Sequence, residues 1–116
     1  MTVYILNALV IPADFDYYSK IKVTIRKATL EEVRQLLLQN QNEFVSAVGH
    51  ESTALLLSQL LGIQIPFNRV TIKVVPGDVL IHFVLRQRVP EGKILSYEEL
   101  RTLPFDLAIS EIEVAE

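Results

Sequence analysis

Cysteine is absent from the 116-residue chain. That one absence removes disulfides, thiolate nucleophiles and cysteine-ligated metals. Histidine occurs only twice, as His50 and His82, too few for a histidine-rich zinc site. Carboxylates do not cluster at metal-ligand spacing, so no metal and no cofactor is expected. Basic charge is not in excess: 11 Lys and Arg stand against 14 Asp and Glu, for a net charge of −3. Proteins that coat long nucleic acids are basic, so a long nucleic-acid partner is not expected. No hydrophobic run is long enough to span a bilayer. The apolar start, MTVYILNALVI, also lacks the basic flank of a signal peptide. A cytoplasmic protein without a membrane partner is expected. Walker-type loops, G-x-G-x-x-G, G-x-S-x-G and H-E-x-x-H are all missing.

What is present is apolar enough to fold. Half of the residues are hydrophobic and 22 % are charged, which predicts one globular domain over residues 1–116. Charge is unevenly spread. Residues 69–93 carry five positive side chains, including Arg69, Arg86 and Arg88, against Asp78 and Glu91, while the segment from 94 to 116 carries six acidic groups and one basic. A basic stretch inside an acidic chain suits a small anionic ligand, or else a salt-bridged surface hairpin.

Periodicity predicts the elements. Residues 3–9 read as a buried strand, and Ile21, Val23 and Ile25 alternate with Lys22, Thr24 and Arg26 as a strand with one wet face. Thr29 caps a helix whose first turn holds Glu31 and Glu32 and whose apolar stripe is Leu30, Val33, Leu36 and Leu37. Residues 43–48 are ambiguous. A largely buried helix runs from near His50 to Leu61 and stops at Gly62. Residues 69–75 and 78–88 read as a hairpin across Pro76-Gly77, with Val74 opposite Val79, Ile72 opposite Ile81 and Val70 opposite Phe83. That register puts Arg69, Arg86 and Arg88 on one face. Ser96 and Glu99 form a capping box for a helix over about 97–103, and 106–114 read as a last strand. The order β-β-α-α-β-β-α-β predicts an α/β single domain, a mixed sheet of about five strands with flanking helices.

Chemistry concentrates in Gly49-His50-Glu51-Ser52-Thr53. Glycine before a helix lets a ligand approach the backbone, and the first N–H groups, around Ser52 and Thr53, form an anion site. His50 there is placed to protonate the leaving oxygen of a phosphate ester, or is an ordinary cap on the surface. Asn7 follows the first strand, where α/β ligand sites collect, or bonds its own backbone. Arg86 and Arg88 lead into a loop containing Glu91, able to clamp phosphates or to form a surface ion pair. His82, in an apolar strand, reads as structural.

Leu6-Asn7-Ala8-Leu9, Gly49-His50-Glu51-Ser52-Thr53, Asn68-Arg69-Val70 and Gln87-Arg88 through Glu91-Gly92-Lys93-Ile94-Leu95 stand in an order and spacing that resembles the small viral anti-CRISPR ring nucleases, first defined as a domain of unknown function. The resemblance covers about 90 residues. It implies a homodimeric α/β protein that binds cyclic tetra-adenylate, the second messenger of type III CRISPR defence, and cuts it without metal. It implies that His50 is the general acid, that Glu91 and Arg88 assist at the phosphate, and that Asn7, Gly49, Ser52, Thr53 and Arg69 hold the ring. Glu51 stands where the family often has aspartate, and Val10 where it often has serine.

The residues suit that chemistry. A ring with four equivalent phosphates matches a two-fold dimer presenting one histidine from each subunit. The ribose 2′-hydroxyl can be the nucleophile, giving linear di-adenylates with a 2′,3′-cyclic phosphate. The protein then aligns it, protonates the departing 5′-oxygen and neutralises charge. The alternative is a non-catalytic cyclic-oligonucleotide sponge or a small nucleic-acid-associated adaptor dimer. Such a protein needs the binding residues but not His50.

Overall fold

A computed structural model describes residues 2–40, 43–86, 96–100 and 102–115. The alternating and apolar runs form five strands: β1 (Val3–Leu6), β2 (Ile21–Lys27), β3 (Val45–Ala47), β4 (Val79–Leu85) and β5 (Phe105–Val114). Among the described residues three helices intervene: α1 (Leu30–Gln39), α2 (Glu51–Leu61) and α3 (Tyr97–Leu100). The sheet order is β2-β5-β4-β1-β3. β1 runs parallel to β3 and β4, and β5 runs antiparallel to β4 and β2. The mixed five-stranded α/β sheet agrees with the sequence reading.

Local signals place the helix ends. The Thr29 hydroxyl accepts from the Glu32 N–H at 3.1 Å while the Glu32 carboxylate accepts from the Thr29 N–H, so the cap of α1 is reciprocal. Ser96 and Glu99 do the same for α3. Gly62 ends α2 with φ +66°, a left-handed conformation that costs glycine nothing.

The larger apolar cluster lies on one face of the sheet. Val3, Ile5, Ile81, Phe83, Leu107 and Ile109 pack there with Val33 and Leu37 of α1 and Leu56, Leu57 and Leu61 of α2. α2 is less enclosed than its leucine content predicts, because Leu55 faces out at 48 % exposure. The opposite face carries a smaller cluster of Leu6, Ala47, Val74, Leu80 and Ile112.

The predicted hairpin does not form. β4 has β1 on one edge and β5 on the other, so neither edge is left for residues 69–75. The reason lies at Pro76-Gly77. The Asp78 N–H donates to the Val75 carbonyl at 3.1 Å, and Gly77 takes φ +98° behind a trans proline. This is a type II turn, whose twist splays the flanking chains rather than pairing them. The Asp78 carboxylate locks it by accepting from the Val75 N–H. Val74 bonds instead to the segment after β1, donating to the Pro12 carbonyl and accepting from Asp14. Val74 still buries its side chain and Ile72 partly buries its own, but against the second face of the sheet. The strand read as ambiguous, 45–47, is the one that completes the sheet.

Candidate functional site

β1 and β3 are parallel, with Leu6 level with Ala47, so their chains leave the sheet at the same edge. Asn7 follows β1, and Val48-Gly49-His50 follows β3 into α2. The C-terminal edge of the parallel strands thus meets a helix N-terminus, where α/β folds gather ligand sites.

Three contacts build the site. The Gly49 N–H donates to Asn7 Oδ1 at 3.4 Å. His50 is the N-cap residue of α2 in an extended conformation, and its side chain caps nothing. Among the described residues the first N–H groups of α2 therefore have no side-chain acceptor, which suits them to an anion. His50 Nδ1 lies 3.5 Å from the Thr53 hydroxyl, and Nε2 has no partner among the described residues. Arg69 crosses over Gly49: a Cβ added at Gly49 stands 3.1 Å from Arg69 Cγ. Glycine there permits the close approach of Arg69, and its backbone angles do not call for it.

Arg69 is carried by Asn68. The Asn68 N–H donates to the Val48 carbonyl at 2.9 Å, and its side-chain amide donates to the Ser46 carbonyl at 2.7 Å. Arg69 itself is exposed and has no ion-pair partner among the described residues. Ser52 and Thr53 are buried at the first turn of α2, and the Ser52 hydroxyl has no hydrogen-bond partner among the described residues.

Of the sequence-predicted site residues, Asn7, Gly49, His50, Ser52, Thr53 and Arg69 are brought together. Arg88 and Glu91 lie outside the described residues. The register expected to put Arg69 and Arg86 on one face is lost with the hairpin. Arg86 is tied instead to Asp106 across β4 and β5, through Nε at 3.1 Å and Nη2 at 2.6 Å. A cleft of about 410 Å³ beside α1, lined by Arg26, Thr29, Glu32, Gln35 and Leu36, contains none of the predicted residues. Its arginine is committed to Glu32.

Sequence reasoning missed the support beneath Asn7. His82 and Ser110 are fully buried. His82 Nε2 lies 2.7 Å from the Ser110 hydroxyl, and Nδ1 lies 3.0 Å from the Ala8 carbonyl. Burial holds the His82 imidazole below its ordinary protonation range, partly offset by the Ala8 carbonyl. The available signal was a histidine between Ile81 and Phe83 and a serine between Ile109 and Glu111 in strands otherwise apolar on those faces.

Among the described residues no three metal-ligating side chains converge. Nor is any helix among them long and apolar enough to cross a membrane.

Comparison with known proteins gives a consistent result. Over 108 residues the chain is 34 % identical to "Uncharacterized protein ORF117" of Acidianus two-tailed virus, covering 92 % of this chain and 90 % of that protein. It is 36 % identical over 100 residues to "Uncharacterized protein YddF" of Bacillus subtilis, covering 86 % and 87 %. The fold is similar to the solved structure of B116 of Sulfolobus turreted icosahedral virus, with a TM-score of 0.74 and 28 % identity over 96 % of this chain and 99 % of that one. Residues 3–107, which include every strand of the sheet at least in part and all six gathered site residues, match the family profile described as STIV B116-like. The chain belongs to the STIV B116-like family, whose relatives include viral proteins.

Proposed function

We propose that this protein is a metal-independent ring nuclease: a homodimer that binds cyclic tetra-adenylate, the messenger of type III CRISPR defence, across its two-fold axis and opens it. The observation that carries the reading is the convergence of Asn7, Gly49-His50 and Arg69, from three separate segments, around the uncapped start of α2. Arg69 and the free N–H groups suit a phosphate. Thr53 orients one nitrogen of His50 and leaves the other for the ligand. Asn7 is suited to the ribose or base.

The 2′-oxygen attacks the neighbouring phosphorus and the bond to the 5′-oxygen breaks. His50 gives its proton to that oxygen, the 2′ proton passes to solvent, and a 2′,3′-cyclic phosphate forms. A cut at each of two opposite phosphates yields two linear di-adenylates. The family resemblance assigns Arg88 and Glu91 to the same phosphate. The dimer is favoured by Leu9, Val10 and Val70, which are 58 %, 52 % and 42 % exposed. They flank Asn7 and Arg69, the two residues that meet at Gly49, so the site has an apolar rim fit to be buried by a second copy. The activity belongs in the cytoplasm, that of the infected cell for a viral protein.

The test is single-turnover cleavage of labelled cyclic tetra-adenylate in EDTA with saturating protein. His50→Ala is expected to lower the rate by about 10²–10⁴, the usual worth of a general acid, while ring binding persists. Wild-type cleavage by His50→Ala refutes the assignment. Tight binding without any cleavage by the wild type replaces the nuclease with a sponge. Light scattering that shows a monomer with and without ring refutes the shared pocket.

A further inference from the structure

The parallel ladder between β1 and β4 ends at Leu6 and His82. Beyond it the chain turns away through Asn7 and Ala8, and no backbone pairing holds it to β4. The His82 side chain takes over, reaching the Ala8 carbonyl at 3.0 Å from within the sheet. A carbonyl only accepts, so Nδ1 carries the hydrogen and Nε2 is bare. Nε2 then accepts from the Ser110 hydroxyl at 2.7 Å. The Ala8 carbonyl therefore fixes the tautomer, and the Ser110 hydroxyl, able to donate or accept, satisfies the nitrogen left bare. The next residue back is Asn7, whose Oδ1 accepts from the Gly49 N–H. A continuous chain of hydrogen bonds and one peptide unit thus leads from β5 through β4 to the residue before His50.

We infer that His82 is a positioning residue: by holding the Ala8 carbonyl it sets Asn7 against Gly49, and so governs affinity for the ligand rather than the chemical step. A leucine or phenylalanine fills space in such a strand without the cost of burying a polar ring. The histidine is explained by the one thing an apolar side chain cannot do, which is to donate to Ala8. The burial that keeps the imidazole neutral also suits it to this role.

Two substitutions separate the ring's two bonds. The amide nitrogen of asparagine falls near the position of Nδ1, and that of glutamine near Nε2. His82→Asn keeps a donor for Ala8, whereas His82→Gln keeps only the contact with Ser110. Amide exchange of Gly49 in the free protein reads the Asn7 contact directly. His82→Gln is expected to accelerate it about tenfold, the equilibrium worth of one neutral hydrogen bond, with His82→Asn close to wild type. The dissociation constant for fluorescent cyclic tetra-adenylate is expected to follow the same order, with the single-turnover rate at saturation unchanged.

A merely structural histidine predicts the opposite order, because asparagine loses more volume than glutamine and leaves the larger cavity. Equal Gly49 exchange in His82→Gln and wild type, or faster exchange in His82→Asn than in His82→Gln, overturns the inference. Imidazole 15N shifts of the wild type supply a test without substitution: an Nε2–H tautomer overturns it, and Nδ1–H supports it. The affinity arm rests on the ring-nuclease reading; the exchange and tautomer arms do not. A wild type that binds no ring therefore refutes that reading alone.

Discussion

Gly49→Ala isolates the contact between Gly49 and Arg69. The new Cβ meets Arg69 Cγ at 3.1 Å, whereas carbon atoms rest about 3.5–4.0 Å apart. Arg69 must therefore retreat by roughly half an ångström. Gly49 does not occupy the left-handed region, so alanine meets no backbone penalty and restricts the unfolded chain, a gain of about 0.4–1 kcal/mol. Arg69 is exposed and can yield, so the overpacking cost falls below the ~1–3 kcal/mol typical of cores. The two effects nearly cancel, and the melting temperature is expected to move by no more than about 3 °C.

Ligand binding responds differently. A charge-assisted hydrogen bond is worth about 1.5–3 kcal/mol, and a displaced guanidinium forfeits part of it, so affinity for cyclic tetra-adenylate is expected to fall about tenfold. Arg69→Ala is expected to cost about ten- to a hundredfold by the same measure. The decisive assay is the double-mutant cycle, with titration of fluorescent ring into all four proteins. Without the Arg69 side chain there is nothing for the Cβ to displace, so Gly49→Ala is expected to be silent in the Arg69→Ala background. Additive losses refute the reasoning, as does a tenfold loss accompanied by a large fall in melting temperature.

Stability is expected to decline on acidification through His82. Its folded protonation range lies below the ordinary value of 6.5. The unfolded chain thus takes up a proton first, and the stability that the neutral ring contributes, fully present above about pH 6.5, is lost as pH falls toward the folded value. The slope is at most about 1.4 kcal/mol per pH unit, and denaturant titrations from pH 7 to 5 should show it in the wild type but not in His82→Asn. Hydrogen bonds from Lys73, Arg26 and Arg86 hold the carboxyls of Asp16, Glu32 and Asp106 below their usual range, so their losses fall at lower pH. Gly62→Ala adds a Cβ with nothing within 4 Å at φ +66°. Its cost is wholly conformational, about 1 kcal/mol, and should appear as a lower denaturant midpoint with an unchanged slope.

Much of this protein was legible in local sequence because the forces involved are local. The Thr29–Glu32 and Ser96–Glu99 caps and the stop at Gly62 each depend on residues a few positions apart, and each stands in the structure. The same holds for Gly49-His50-Ser52-Thr53, where a helix start and its free donors lie within one turn. The alternation of β2 holds at Ile21 and Val23 but not at Ile25, which is exposed on this edge strand. Strand partnership depends on edges instead of on pattern. Val70, Ile72 and Val74 alternate as a strand should, yet β1 and β5 occupy both edges of β4, and the type II turn at Pro76-Gly77 directs the chain onto the second face. Only the tertiary structure decided that Asn7, Gly49 and Arg69 meet, since 42 residues separate the first two and the strap carrying Arg69 is held by Asn68 on Val48 and Ser46. It also decided what His82 is for. A buried histidine requires partners, and sequence cannot name them, because Ala8 and Ser110 reach it only once β1, β4 and β5 lie side by side.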